Sequence, residues 1–272
     1  MTMLASWVAM DPHGISSAYI VSDSRFSTGS KYFDHGRKTF ASNRYPEIFG
    51  YAGDVLFASM ILGQIIEMID ANLLFSSSTT CIDKNKIVFD KISYEFNKYK
   101  ELGMNDFKIL HITRETKVKG YPHFYGFILE WSNSSGWNRT SIDIPNSSDI
   151  MLVIGSGKTE FLQNYSNNYQ KGPNQNTSRN VFHCFCDTLF NTSIISVGGA
   201  PQLVGIIRKP HSPAQYYGII CNNKRYFMGS ELPQDSNYPN IKWRNDLFEL
   251  CDGITGHKYD SAASQPDVLR RK

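Results

Sequence analysis

Twice along these 272 residues the apolar repeat changes from strand-like alternation to helical spacing, and each time two helix-patterned stretches follow one another. From Asp54, the residues Val55, Leu56, Met60, Leu62, Ile65, Ile66 and Ile69 form a wide apolar face, which predicts a helix over 54–70. A second over 84–101 carries Val88, Ile92, Phe96 and Tyr99, with lysines on its other side. The later pair is predicted over 155–165 and 179–191, separated by the polar Lys171 to Ser178 stretch containing Gly172-Pro173.

Strand-patterned runs fill the rest. Residues 2–10 and 15–23 flank Asp11-Pro12-His13-Gly14 and read as a hairpin. Further strands are expected at 38–42, 46–52, 106–113, 122–131, 137–144, 150–154, 201–208, 215–221 and 224–229. Antiparallel strands interrupted twice by a helix pair imply an α+β fold, a four-layer α/β/β/α sandwich of two antiparallel sheets. No shift in composition marks a boundary, so one domain is expected over 1–255, followed by a loose tail over 256–272.

Composition narrows the functional classes. An apolar content of 41% supplies a core, and a net charge of +3 is too small to make nucleic acid the main partner. No apolar run is long enough to span a membrane, and no secretory signal is visible at the start. Five scattered cysteines then read as reduced thiols in a cytoplasm. Cys184 and Cys186, one residue apart in a helix, are poorly spaced for zinc, and the histidines form no metalloprotease pair. No metal or organic cofactor is expected.

The chemistry-bearing residues begin at the second position. Thr2 is small enough for Met1 to be removed, which would leave a hydroxyl nucleophile and a free α-amine on one residue. That amine titrates at about 7.7–8.0, where it can act as a base near neutral pH. Asp23-Ser24-Arg25 ends the second strand, followed by Gly29, Arg37-Lys38, Tyr51-Ala52-Gly53-Asp54 and Gly155-Ser156-Gly157. Taken separately, Asp23 reads as a turn carboxylate, Lys38 as a solvated lysine and Gly53 as a tight-turn glycine.

In that order the motifs resemble the proteasome β-subunit family of N-terminal nucleophile hydrolases, and most nearly its bacterial proteasome-like Anbu branch. Ser196-Val197-Gly198-Gly199-Ala200-Pro201 is similar to the family's late strand motif, and the likeness spans residues 2–230. The resemblance implies a threonine-type peptidase or amidohydrolase. Thr2 would attack, Lys38 would stand beside it as a cation, and Asp23 would orient Lys38. The Gly53 N–H would stabilise the oxyanion, and Ser156 would hydrogen-bond near the terminal amine. It also implies a peptide or protein substrate and a homo-oligomer, a ring or an open spiral built through the outer helices. The sequence names no unfoldase partner.

Other readings stay open. The first hairpin is longer than the family's, and counting back from Asp23 lands near Ser6, a second candidate nucleophile. The family's Asp-x-x-Ser support for the amine is replaced by Ile194-Ile195-Ser196-Val197, which suits a non-catalytic scaffold or assembly subunit. Gly155-Ser156-Gly157-Lys158-Thr159 suggests a nucleotide-binding loop, but the first glycine of that motif falls on Leu152.

Overall fold

The computed structural model describes residues 2–99, 105–115, 120–171 and 175–262. The chain is α+β, and its described residues form four α-helices and sheets that are antiparallel but for one ladder. A nine-stranded sheet contains β1 (Met3–Asp11), β2 (Gly14–Ser22), β10 (Asp149–Gly155), β11 (Gln202–Ile207), β12 (Gln215–Cys221), β13 (Lys224–Phe227), β14 (Ser230–Leu232), β15 (Lys242–Asn245) and β16 (Leu250–Cys251). Its path runs β10-β1-β2-β11-β12-β13-β14. The exception is β15, which lies parallel to β12 at Tyr217–Ile220, beside the stretch of β12 that pairs with β11. The expectation of purely antiparallel sheets is corrected there.

The second sheet has five strands in chain order: β5 (Thr39–Ala41), β6 (Glu47–Gly53), β7 (Phe107–Arg114), β8 (Phe124–Ser132) and β9 (Gly136–Ile142). Between β2 and β5 stands a small hairpin, β3 (Phe26–Thr28) with β4 (Lys31–Phe33).

Side-chain caps mark the starts of three of these helices. Asp54 caps α1 (Val55–Asp70) by accepting the Phe57 N–H at 3.0 Å, and Phe57, Ile61, Leu62, Ile65 and Ile69 face inward. The second helix, α2 (Cys81–Tyr99), begins three residues before the expected 84. There the Thr80 hydroxyl accepts the Asp83 N–H and donates to the Asp83 carboxylate, a reciprocal cap. After α3 (Lys158–Asn164) comes a π-helical turn over Tyr165–Tyr169, and Thr177 then caps α4 (Ser178–Asn191).

Three hydrophobic cores follow from this placement. One holds α1 and α2 side chains such as Ile65 and Val88 against Phe49 and Ile109 of the five-stranded sheet. Another holds Phe161 of α3 and Phe182 and Phe185 of α4 against Trp7 and Leu203 of the nine-stranded sheet. The third joins the sheets, with Leu4, Ile20 and Val204 of one meeting Ile48, Leu110 and Ile112 of the other. Alternation explains the division: Leu4 and Ala5 point to opposite faces of β1 and enter different cores.

Residues 256–262, expected as part of a loose tail, fold back on β16. Lys258 bridges Cys251, and the Tyr259 N–H donates to the Leu250 carbonyl at 3.0 Å. Residues 263–272 of that expected tail lie outside the described residues.

Candidate active site

Six strand ends meet at one end of the two sheets: the starts of β1, β5 and β11, and the ends of β2, β6 and β10. Antiparallel pairing brings this about, since Leu4 lies opposite Ser22, Met3 opposite Gly155, and Gln202 opposite Ser22. The residues flanking these ends include Thr2, Asp23, Lys38, Gly53 and Ser156.

Asp23 is the centre of the arrangement, with no solvent exposure. Its Oδ1 accepts the Lys38 ammonium at 2.8 Å and the Met3 backbone N–H at 3.0 Å. Its Oδ2 accepts the backbone N–H groups of Arg25 and Gly198, each at 3.2 Å. One carboxylate thus ties the first strand, the segment after β2, the segment before β5 and the glycine run before β11. Lys38 is likewise fully buried, and burial pushes its ammonium below the ordinary lysine range, an effect the Asp23 carboxylate opposes. Next to it, Arg37 turns the other way and donates to the Tyr216 hydroxyl at 2.6 Å.

Thr2 is held from the opposite side through its own carbonyl. That oxygen accepts the Gly157 N–H at 3.3 Å and the Ser156 hydroxyl at 3.4 Å. Gly155 has φ +96°, and a side chain there would collide with the Thr2 carbonyl, so the close approach of β10 to the start of β1 requires glycine. Thr2 itself is fully buried. The peptide joining Thr2 to Met3 is therefore clamped between Asp23 and the Gly155-Ser156-Gly157 turn. Met1 lies outside the described residues.

Gly53 closes β6 with φ +106°, and a side chain there would strike the Asp106 carbonyl and Phe107 of β7. It lines a cleft of about 370 Å³ together with Ala52, Gly155, Trp131, Glu130 and Asn138. Gly53 and Gly155 thus share one cavity, whose lining includes none of Thr2, Asp23, Lys38 and Ser156.

Two contributors escaped the sequence reading. Ser196 sits with its hydroxyl 3.2 Å from that of Ser156, extending the polar chain that starts at the Thr2 carbonyl. It lies inside the quoted Ser-Val-Gly-Gly-Ala-Pro run, the signal that could have flagged it. The amide of Gln202 bonds the backbone at Asp23 and at Lys38, and nothing in the local sequence points to it. Arg25 steadies the same region by pairing with Asp34 at 2.6 Å and donating to the Ile195 carbonyl at 3.0 Å.

The competing candidates are placed differently. Ser6 is buried within β1 and donates to the Leu152 carbonyl at 3.3 Å. In the glycine loop that suggested a nucleotide, the Ser156 hydroxyl and Gly157 N–H serve the Thr2 carbonyl, and the helix behind it has only seven residues. All five cysteines are free and buried, and burial raises the Cys184 thiol to about 12. Among the described residues no three His, Cys, Asp or Glu side chains gather as a metal site, and no helix is long and apolar enough to cross a membrane. Comparison with protein-family models and with curated protein sequences finds no match.

Proposed function

We propose that the protein is a threonine-type N-terminal nucleophile hydrolase of the proteasome β-subunit kind, cleaving peptide or other amide bonds through an acyl-enzyme. One observation carries the reading: a buried lysine ammonium and the backbone N–H that follows Thr2 meet on the same oxygen of a buried aspartate. A positive charge is thereby held two hydrogen bonds from the peptide that joins the proposed nucleophile to Met3. The three cores support the matching four-layer α/β/β/α sandwich, with α1 and α2 on one outer side and α3 and α4 on the other.

Removal of Met1 would free the α-amine of Thr2. In the proposed reaction that amine takes the hydroxyl proton as Oγ1 attacks the substrate carbonyl carbon, and the developing oxyanion is received by the Gly53 N–H. The C–N bond then breaks, with the proton passing from the Thr2 ammonium to the leaving amine. An ester to Thr2 remains. Water, deprotonated by the same amine, attacks that ester, and the acid is released as the Thr2 ammonium returns the proton to the departing Oγ1. Lys38 favours the neutral form of the neighbouring amine by charge repulsion and eases loss of the hydroxyl proton. Asp23 favours the charged form of Lys38 and so opposes the effect of its burial.

The same reading carries self-association into rings or open spirals through the outer helices, where Leu56 and Met60 of α1 remain exposed. The test is treatment of the purified protein with a peptidyl epoxyketone, which captures a hydroxyl and an amine carried by one residue. An adduct on Thr2, lost in Thr2→Ala, is expected. Hydrolysis that persists in Thr2→Ala would remove Thr2 from the role, and an unreactive chain retaining Met1 would favour a non-catalytic assembly subunit.

A further inference from the structure

We infer that Gln202, at the start of β11, is a positioning residue that fixes the backbone of Lys38 against that of Asp23. The inference rests on the reading of the site as an N-terminal nucleophile centre. Its geometry can nevertheless be tested apart from turnover.

The Gln202 side chain is 1% exposed, so both ends of its amide need partners inside the protein. Its oxygen accepts the Lys38 N–H at 2.8 Å, the Thr39 N–H at 3.1 Å and the Thr39 hydroxyl at 3.2 Å. Its nitrogen donates to the carbonyls of Asp23 at 3.0 Å and Gly36 at 2.9 Å. Three donors on one side and two carbonyls on the other leave a single sensible orientation of the amide. One side chain from β11 therefore bridges the segment that carries the carboxylate and the segment that carries the ammonium.

Other residue types cannot reproduce this. Glutamate has the same shape but would set an acceptor against the Asp23 and Gly36 carbonyls, losing both donated bonds. Methionine fills the volume and bonds to none of the five groups. With the bridge gone, the backbone N–H groups of Met3, Arg25 and Gly198 still hold the Asp23 carboxylate, but the Lys38 backbone is no longer fixed against that of Asp23, and the 2.8 Å contact loosens from the lysine side.

The consequence follows from the balance at Lys38. Burial disfavours its charged form, and contact with Asp23 restores it. A paired opposite charge is worth about one to three pH units of protonation, and the gain falls as the pair separates. Loosening the Lys38 backbone therefore lowers the pH at which the ammonium loses its proton. A residue that merely filled space would reduce stability and leave that midpoint where it was.

The experiment uses the full chain carrying lysines labelled with ¹³C at Cε, and follows Lys38 by NMR through a pH titration in wild type and Gln202→Met. The Lys38 midpoint is expected to fall by about one pH unit. Epoxyketone labelling of Thr2 is expected to slow about tenfold or more, its decline at high pH moving down with the Lys38 midpoint. If Gln202→Met does not fold, Gln202→Asn, which keeps the amide but shortens its reach, should show the same shift in smaller measure. A folded Gln202 variant with the wild-type Lys38 midpoint overturns the inference. A wild type that takes no label while its Lys38 midpoint still responds to Gln202 overturns the hydrolase reading and leaves the positioning role standing.

Discussion

Among the described residues two lysine–carboxylate pairs are wholly buried, and they keep different company. Lys84 of α2 meets Glu47 of β6 at 2.7 Å, and the remaining partners of Glu47 are side chains: Thr113 at 2.9 Å and His111 Nε2 at 2.8 Å. The set continues through Asn85, 3.0 Å from His111 Nδ1, to Arg139 of β9. Because the Asn85 oxygen accepts from Arg139, its amide nitrogen is the end that faces His111 Nδ1. Each of these side chains has at least one partner in the set, and the cluster fastens α2 to its sheet. Lys38 and Asp23 are equally close and equally buried, but the other three partners of Asp23 are backbone N–H groups at strand ends. A carboxylate answered by side chains joins elements, whereas one answered by main chain places a backbone. The second kind suits a centre that must hold the start of a chain in register.

Substitutions should separate the two. The largest effect is expected from Thr2→Ala, which should lower hydrolysis or labelling by at least about a thousandfold while the thermal midpoint stays within a few degrees. Next, Lys84→Met strands Glu47 in the interior and should cost about 3–5 kcal/mol in denaturant unfolding, with Thr2 labelling of the folded fraction unchanged. Equal loss of labelling in Lys84→Met and Lys38→Met would erase the contrast between the pairs.

The pH dependence sharpens it further. Labelling should rise as the Thr2 amine loses its proton, below the ordinary value of about 8 because the Lys38 ammonium disfavours its charged form, and fall again as Lys38 does. Because burial depresses Lys38, that fall should come below the usual lysine value of about 10.4. A plateau extending through pH 10.5 would show that the charge on Lys38 is not used. A smaller change is expected from Gly53→Ala, whose side chain meets the β7 backbone at a positive φ and should cost about 1–3 kcal/mol, read from urea unfolding. The smallest belongs to Lys86→Ala. Its helical pair with Asp90 is largely exposed, so the urea midpoint should barely move.

How much of this was legible in the sequence depends on the length over which each signal acts. The β1–β2 hairpin and α1 were readable because each presents several repeats of its own period. The β3–β4 hairpin and strands β14 to β16 were not, since two to four residues carry no period. The parallel ladder between β12 and β15 depends on contacts no local pattern contains. At the site, Asp23, Lys38 and Ser156 could be named from ordered motifs, although Lys38 read on its own as a solvated lysine is in fact fully buried. Gln202 lies 164 residues from Lys38 in the chain, and only the folded sheet brings its amide into place.

The most direct measurement is the mass of the purified full-length protein before and after epoxyketone treatment, followed by fragmentation to locate the adduct. The account predicts a chain beginning at Thr2, gaining one adduct on that residue, and gaining none in Lys38→Met. A chain that keeps Met1 and gains no mass, or an adduct on any residue other than Thr2, would contradict it.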